Sequence, residues 1–384
     1  MCRVRKNLKI HIITAALPPQ LDGIGDYTAN LAAELAHSAT VTVLTGAPAP
    51  DSIPGVRVET AFSADDPRSV WNLVDRVAAD PPDWVLLQYN PFSYGRWGLN
   101  LHLPRVMQGI KRRCPGAKFA LMVHEPFVPI ISPQFAVMAT WQRWQLWALG
   151  RSADRVFFSI GPWAKRFQKW FPHTQVRHLP VGSNIPLVPT SRAEARERLG
   201  IPEGTFVLGL FGTMHISRML ERVRGAAQTV LQSGQEAVVL YIGKDEQIVR
   251  LALGDVPLLA GGPFSAEESS RRFAIMDVQL APFTDGISTR RTSVMCGLQH
   301  GVATVGTHNY NTDAIFMEEN GRSLLLAPVD DAPQFNMHVL EVLQQPALRV
   351  ALADSGQRLY QKHFGWDRIA AQLCSALSGA GGSL

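Results

Sequence analysis

Short apolar runs alternate with amphipathic segments along the first half of the chain. Six runs have the length of buried strands, and they cover residues 8–14, 40–45, 84–88, 119–124, 155–159 and 176–179. Between most of them, apolar residues recur every three to four positions, as in residues 26–37, 69–79 and 103–113. The alternation predicts a doubly wound α/β fold, in which a parallel sheet carries helices on both faces.

A segment rich in proline and polar residues, at 180–205, interrupts this alternation and predicts a linker with a short helix. The pattern then resumes, with strands expected at residues 206–211, 237–242, 256–259, 278–281 and 303–306. A chain of 384 residues is also too long for one ordinary core. We therefore expect two Rossmann-like domains, at 1–185 and 186–360, whose strand-end loops face a ligand-binding cleft.

Composition and charge are those of a globular protein that binds anionic small molecules or a membrane surface. The chain is 46% hydrophobic and 18% charged, and its net charge of +5 is not massed in a basic run. A nucleic-acid groove would need denser basic stripes with interleaved aromatic residues, so we expect no nucleic-acid partner.

The four cysteines favour neither a disulfide framework nor a zinc site. Cys2, Cys114, Cys296 and Cys374 are far apart, and no Cys-x-x-Cys spacing occurs. The basic start and the apolar run after it resemble a signal peptide, but that run is short and contains His11, which favours a first strand instead. No uninterrupted apolar stretch reaches about 18 residues, so we expect no membrane span and a cytoplasmic location.

The stretch PFTDGISTRRTSVMCGLQHG, at residues 282–301, places two arginines where a helix is expected to begin. Ser288 and Thr289 are candidate N-caps, so Arg290 and Arg291 would lie in the first turn. Cations are unfavourable there because a helix N-terminus carries partial positive charge. Pairing with Asp285 would explain one of these arginines, whereas a phosphate or diphosphate would explain both.

A glycine-containing loop follows the first predicted strand. Gly23 and Gly25 allow a backbone to approach a ligand closely, and the helix after them would favour an anion. The loop is not a dinucleotide fingerprint, because the third glycine is missing and the second strand ends at Thr45 without an acid. These departures argue against a nicotinamide-dependent dehydrogenase.

Further candidates for phosphate binding lie after two strands of the second half. They are Gly212, Thr213, His215 and Arg218 after one strand, and Gly243 and Lys244 after the next. His215 and Arg218 can offer positive charge to phosphate oxygens, although an ordinary solvated face would fit the same residues.

His124 and Glu125 stand at another strand end, directly before a proline. A histidine in this place can simply cap the sheet through backbone hydrogen bonds. Its expected position beside the cleft favours a role in chemistry instead.

Three tryptophans, Trp141, Trp144 and Trp147, follow at helical spacings. The first interpretation is a helix that turns them toward the core. The second is an acceptor platform or a membrane-facing surface, since tryptophan beside arginine suits an interface.

Taken together, these motifs resemble those of the GT-B fold glycosyltransferases, in particular the retaining family 4. Four stretches carry the resemblance. DGIGDYT is similar to the family's first glycine loop, and VHEP is similar to its strand-end histidine. FGTMHISR is similar to its cationic phosphate segment, and HGVATVGT is similar to the strand after its donor helix. FGWDRIAAQL resembles the last helix, which crosses back to the first domain and is expected at 361–377, ahead of a flexible tail at 378–384. The resemblance covers most of the chain.

The resemblance implies transfer of a sugar from a nucleoside diphosphate sugar to an acceptor hydroxyl, with retention and without a metal or other cofactor. His124 would contact the sugar near the reacting carbon, Asp285 would orient its hydroxyls, and Arg218 would neutralise the diphosphate. The residues implied for the donor diphosphate are Gly23, Gly25, Gly212, Thr213, His215, Gly243, Lys244, Gly286, Ile287, Ser288, Arg290, Arg291 and Thr292. The residues implied for the acceptor are Asp26, Tyr27 and Glu125.

Two departures from the family keep other functions open. Such enzymes carry two glutamates where this chain has Ser288 and Cys296, and the usual lysine of the basic pair is replaced. A non-catalytic GT-B subunit that binds a partner or a glycan is therefore one alternative. A nucleotide-sugar 2-epimerase on the same fold is another, although more acids would be expected around its sugar. The base, the sugar, the acceptor and any membrane contact stay open.

Overall fold

The computed structural model describes residues 8–46, 52–63 and 65–378, which fold as two compact units. The first unit contains the described residues up to Pro180 and those from Trp366 onward, and the second runs from Val181 to Gly365. The first unit thus ends near, but not at, the expected boundary at residue 185. Cys2 and the expected tail beyond Ser378 lie outside the described residues.

The first unit is built on a seven-stranded parallel sheet with the strand order 3-2-1-4-5-6-7. Its strands are β1 (Leu8–Thr14), β2 (Ala39–Thr45), β3 (Val56–Thr60), β4 (Trp84–Tyr89), β5 (Lys118–Val123), β6 (Arg155–Phe158) and β7 (Gln175–His178). The helices between these strands are α1 (Gly23–Leu35), α2 (Asn72–Ala79), α3 (Leu103–Arg113), α4 (Pro133–Ser152) and α5 (Gly161–Phe167). β4 is buried at every position, as expected of a central parallel strand that is covered on both faces.

The second unit has a six-stranded parallel sheet with the order 10-9-8-11-12-13. Its strands are β8 (Phe206–Phe211), β9 (Ala237–Ile242), β10 (Leu258–Leu259), β11 (Val278–Ala281), β12 (Thr304–His308) and β13 (Leu325–Pro328). Its helices are α6 (Arg192–Arg198), α7 (Leu220–Gln232), α8 (Glu246–Leu253), α9 (Ala266–Phe273), α10 (Thr292–Gln299), α11 (Ala314–Glu318), α12 (Ala332–Gln344) and α13 (Pro346–His363). The doubly wound α/β prediction is confirmed for both units.

The last helix, α14 (Trp366–Leu377), packs against α1 in the first unit. The Trp366 ring meets the Tyr27 ring edge-on, with centroids 5.3 Å apart, and Gln372 Nε2 donates a hydrogen bond to the carbonyl of His178 at 2.8 Å. The expected return of the C-terminal helix to the first domain is confirmed. It begins at 366 rather than 361 because α13 continues to His363.

Three strand predictions differ from the structure. β3 was not predicted because it is an edge strand whose residues alternate between partial and full exposure, so no apolar run marks it. β13 was missed because it is only four residues long and ends in a proline. The strand expected at 256–259 covers only Leu258–Leu259, since Pro257 has no amide hydrogen to donate.

Helix α4 turns two of its three tryptophans outward. Trp141 packs partly buried against a small cluster of Val128, Met138 and Ala139. Trp144 and Trp147 are 45% and 43% exposed, so the interpretation of a core-facing tryptophan helix is wrong for these two.

None of the helices in the described part of the chain is long and apolar enough to cross a membrane. Within residues 8–46, 52–63 and 65–378, no group of three or more His, Cys, Asp or Glu side chains is arranged to hold a metal ion. The three cysteines in these ranges, Cys114, Cys296 and Cys374, are free and buried.

Candidate functional site

Each sheet has one point at which its strand order reverses, between β1 and β4 in the first unit and between β8 and β11 in the second. At such a point the loops after two neighbouring strands leave in opposite directions and open a crevice at the carboxyl ends. In the second unit these loops are residues 212–219 and 282–291. They contain most of the residues predicted to bind phosphate.

Backbone hydrogen bonds tie these two loops together. The Met219 N–H donates to the Pro282 carbonyl at 3.2 Å, and the Thr284 N–H donates to the Ser217 carbonyl at 2.9 Å. Between these bonds, Arg218 forms an isolated antiparallel bridge with Phe283. The side chains that the two loops carry are therefore held in a fixed relation.

Arg218, Arg290, Arg291 and Asp285 form what we call the arginine cluster. Asp285 accepts from Arg290 Nη2 at 2.8 Å through Oδ2 and from Arg291 Nη2 at 2.7 Å through Oδ1. The interpretation that Asp285 pairs with only one arginine is therefore wrong. The guanidinium carbons of Arg218 and Arg291 lie 4.2 and 4.1 Å from the centre of the Phe283 ring.

The arginine cluster carries more positive than negative charge. It contains three arginines and one aspartate, and the side chains of Arg290 and Arg291 are only 11% and 10% exposed. Burial would raise the pKa of Asp285, but Arg291, Arg290 and a hydrogen bond from Asn311 together lower it below its usual range, so the carboxylate stays ionised.

Arg218 bears the surplus charge most directly. Burial, and then repulsion from Arg291, lower the pKa of Arg218 to about 9. Among the described residues no carboxylate contacts it: Nη2 donates to the Phe211 carbonyl at 2.8 Å, and Nε is buried without a partner. A partly buried cation without a carboxylate partner in the described chain is unfavourable, and a bound anion would relieve this arrangement.

Helix α10 begins at Thr292, so the prediction that Arg290 and Arg291 lie in its first turn is wrong. Thr289, expected as an N-cap, is held instead by Asp313, whose Oδ2 accepts from its N–H at 2.7 Å and from its hydroxyl at 2.9 Å. Arg291 occupies the N-cap position, and no side chain caps the helix. The amides of Thr292 and the next residue therefore have no acceptor within the helix and can bind an anion.

Gly212 lies where the first loop leaves β8. Its φ of +103° is a conformation that side-chain-bearing residues rarely adopt. A Cβ at this position would stand 3.7 Å from Arg218 Nη2 and 3.8 Å from the Ser293 side chain. Glycine therefore permits this backbone conformation and leaves the space beside the arginine cluster open.

The remaining donor candidates divide into exposed and supporting residues. Thr213, His215 and Lys244 are exposed at the strand ends, and His215 Nδ1 accepts from the Ser217 N–H at 3.2 Å, which leaves the ring proton on Nε2. Gly243, Gly286, Ile287 and Ser288 lie in or under the loops. The Ile287 N–H donates to the Thr307 carbonyl at 2.8 Å and is not available to a ligand.

The two residues at which the resemblance implies glutamates are both inaccessible. Cys296 is fully buried in an apolar cluster, where its Sγ accepts a hydrogen bond from the Ser183 hydroxyl at 3.1 Å. Ser288 is also fully buried, and its hydroxyl has no partner among the described residues. Neither side chain can reach a ribose from these positions.

In the first unit, His124 directly follows β5. Its Nε2 lies 2.8 Å from Gln88 Oε1, which can only accept, so the ring proton is on Nε2. The Tyr27 ring packs edge-on against the imidazole, with centroids 4.8 Å apart. Burial lowers the pKa of His124 to about 3, so the ring is neutral at ordinary pH.

The other predicted residues of the first unit surround the start of α1. Asp22 caps this helix by accepting from the Gly25 N–H at 2.6 Å, so Gly23 and Gly25 belong to its first turn rather than to the loop before it. A Cβ at Gly25 would lie 3.0 Å from the Ala16 carbonyl oxygen, so this glycine permits close packing within the chain.

The acceptor candidates Tyr27, Asp26 and Glu125 differ in exposure. Tyr27 is buried between His124 and Trp366, whereas Asp26 and Glu125 are partly exposed. From this placement Tyr27 supports the His124 ring.

A cavity of about 520 Å³ opens at the strand-order reversal of the first unit. Its polar lining residues are Gln20, Asp22, Ser63, Asp65, Asn90 and Ser93. Two of them are carboxylates, and no basic residue of the described chain lines the cavity. Sequence reasoning missed this cavity, although the ends of β1 and β4 are where the reversal rule would place one.

We expect the His124 ring to remain neutral from pH 8 down to pH 5. Since its folded pKa of about 3 lies below the unfolded value of about 6.5, the unfolded chain takes up this proton first, and stability falls as the pH drops below 6.5. Ring ¹⁵N chemical shifts in a pH titration would measure this, with the urea-unfolded protein as the control. A His124 ring that titrates near pH 6.5 in the folded protein would contradict the burial argument.

The chain matches no protein-family model and no curated protein sequence. Its fold, in contrast, is shared with many solved structures. A sucrose-phosphate synthase from Thermosynechococcus elongatus aligns with 98% of this chain and all of its own, at 19% identity and a TM-score of 0.73. HepE of Anabaena, solved with UDP and glucose, aligns over 97% of this chain and 99% of its own, at 14% identity and a TM-score of 0.70.

WaaG, a glycosyltransferase involved in lipopolysaccharide biosynthesis, is similar over 96% of this chain and all of its own, at 15% identity and a TM-score of 0.66. Each match covers both units of the chain. At these identities the likeness concerns the fold. The chain therefore has the GT-B fold of these glycosyltransferases.

Proposed function

We propose that this protein is a glycosyltransferase that uses a nucleoside diphosphate sugar as donor. The observation that carries the proposal is the arginine cluster at the carboxyl ends of β8 and β11, in which Arg218 has no carboxylate partner among the described residues. A diphosphate has the charge that this cluster lacks. Because HepE was solved with UDP and glucose, a UDP-sugar is the first donor to test.

The proposed mechanism depends on charge that grows on the leaving group. As the bond between the sugar and the diphosphate breaks, negative charge accumulates on the diphosphate and the sugar becomes oxocarbenium-like. Arg218, Arg291 and the free amides at the start of α10 are fixed donors that stabilise this charge more in the transition state than in the ground state. We propose that these cations make a divalent metal unnecessary and that the anomeric configuration is retained.

The first unit would bind the acceptor. The cavity at the end of β1 and β4 presents hydroxyl, amide and carboxylate groups, which suit the hydroxyls of a sugar. Its two carboxylates, without a basic residue beside them, would repel a phosphorylated acceptor. We therefore propose an uncharged, hydroxyl-rich acceptor. His124, with its proton on Nε2, keeps Nδ1 as an acceptor for a sugar hydroxyl.

The proposed function is tested first by thermal shift with UDP, GDP, ADP and TDP, with NAD as the control. A nucleotide at about one hundred times its dissociation constant should stabilise the protein by about 2.7 kcal/mol. The matching sugar nucleotide is then incubated with neutral glycosides and with sugar phosphates, and product is measured by mass spectrometry. Stabilisation by one nucleoside diphosphate and transfer to a neutral glycoside are expected. Equal stabilisation by NAD would contradict the donor proposal.

A non-catalytic GT-B binding subunit is the second candidate, and the burial of Cys296 favours it. A ribose-binding carboxylate is absent from that helix position, and the cysteine is packed away in the core. Under this alternative, nucleoside diphosphates would bind weakly or not at all, and no transfer or donor hydrolysis would occur at any acceptor concentration. The same thermal-shift and transfer experiments therefore separate the two candidates.

A further inference from the structure

Large apolar side chains are exposed along α4 and the loops that lead to it. We call this surface the aromatic face, and its residues are Trp97, Ile130, Ile131, Val137, Trp144 and Trp147. Each exposes more than two fifths of its area, from 43% at Trp147 to 58% at Val137. Scattered apolar residues are common on protein surfaces, but a concentration in one region indicates a contact with another molecule or with a membrane.

Helical geometry places the α4 members of this surface on one side. At about 100° per residue, its three α4 residues fall within about 80° of the helix circumference together with Thr140 and Arg151. These three are Val137, Trp144 and Trp147. The buried residues of α4 are Met138, Ala139, Gln142, Gln145, Leu146, Leu149 and Gly150. The helix therefore packs its other side on the core and presents a stripe of tryptophan and valine to solvent.

Trp97 is held exposed by a conformation that is unfavourable for its residue type. It has a φ of +63°, and it is the one non-glycine residue with positive φ in the described chain. Its carbonyl accepts hydrogen bonds from Trp141 Nε1 at 3.0 Å and Gln142 Nε2 at 3.2 Å, both on α4. Glycine would adopt this backbone without strain. The exposed indole is thus retained at a position where glycine would be easier to accommodate.

The region that contains the aromatic face is strongly basic. Residues 83–154 have eight basic residues and three acids, Asp83, Glu125 and Asp154, which gives a net charge of +5. Lys111 pairs with Asp154, and Arg113 pairs with Asp75. The whole chain also carries +5, so the remainder has no net charge. Two arginines lie directly against aromatic rings, with Arg151 5.0 Å from the centre of Trp147 and Arg143 4.7 Å from that of Phe127.

We propose that the aromatic face binds the surface of an anionic lipid bilayer. Tryptophans would sit at the headgroup level, the aliphatic residues would enter the acyl boundary, and the arginines would pair with lipid phosphates. Positive charge near such a surface is attracted by its negative potential. A second copy of the chain fits this surface less well, because the arginines of the two copies, Arg143 and Arg151 in each, would repel each other. This inference is independent of the donor proposal.

The test is co-sedimentation of the full chain with vesicles of phosphatidylcholine alone and with about one third phosphatidylglycerol, without any nucleotide. Binding is expected to the anionic vesicles only, and to weaken as salt is raised. Trp144→Ser/Trp147→Ser should reduce the affinity about tenfold or more. Arg143→Gln/Arg151→Gln, which removes the two arginines that lie against aromatic rings, should reduce it about fivefold for each removed charge.

The matched control is Ile248→Ser/Leu251→Ser, which removes two exposed apolar residues from the second unit. It should bind vesicles like the wild type. Circular dichroism and thermal melting would show that all variants are folded. The proposal is overturned if anionic and neutral vesicles bind equally, if neither binds, or if the control loses as much affinity as the tryptophan variant. It is also overturned if light scattering shows a dimer that the tryptophan substitutions dissociate, since the face would then join two copies.

Discussion

An Arg218→Met variant is expected to lose nucleotide binding and turnover while keeping its fold. Methionine preserves an apolar contact with Phe283 but removes the cation that has no carboxylate partner in the described chain. Loss of one group that stabilises developing negative charge lowers turnover by about 10²- to 10³-fold. Stability should change by no more than about 1 kcal/mol, because relief of the repulsion from Arg291 offsets the lost hydrogen bond to Phe211.

The measurements are the thermal shift produced by the best nucleoside diphosphate and the rate of sugar transfer. Arg250→Met is the matched control, since Arg250 is exposed on α8 and pairs with Glu246 one turn away. It should behave like the wild type in both measurements. If Arg218→Met binds the diphosphate as tightly as the wild type, the surplus charge of the cluster does not serve the donor.

An Asp285→Asn variant is expected to be strongly destabilised. It removes a carboxylate that Arg290 and Arg291 both contact, and it leaves three partly buried cations close together. Removal of one partner from a buried ion pair costs about 3 to 5 kcal/mol. For a unit of this size, each kcal/mol lowers the melting temperature by about 2 to 4 °C, so a fall of roughly 10 °C is expected.

Denaturant unfolding, followed with a probe in the second unit, measures this effect. Asp255→Asn, at an exposed turn of the same unit, is the control and should be nearly neutral. The double variant Asp285→Asn/Arg290→Met should recover part of the loss, because one of the repelling cations is gone. Wild-type stability in the single variant would mean that the arginines do not depend on Asp285.

Much of the fold is predictable because central parallel strands are marked by continuous apolar runs. β4 and β5 are buried almost throughout, and both were expected within one or two residues of their observed ends. β3 has the opposite character, since half-exposed edge residues carry no such signal. The strand at 256–259 is shorter than expected because Pro257 has no amide hydrogen to donate, although its carbonyl accepts from the Val239 N–H at 2.9 Å.

The site is less predictable because its key contacts join residues far apart in the chain. The sequence places Arg290 and Arg291 near Asp285, but it cannot show that Arg218 shares the Phe283 ring with Arg291. Thr289 was expected to cap a helix because Asp313, which captures it instead, is 24 residues away. The roles assigned to the individual site residues stay predictions.

The return of α14 to the first unit determines when that unit can be finished during synthesis. Its last helix is made only after residues 181–365, which form the second unit. Until then, the Tyr27 ring that supports His124 lacks Trp366 on its other side. The first unit therefore cannot be completed before α14 has been made, and a chain cut before residue 366 would expose the part of α1 that α14 covers.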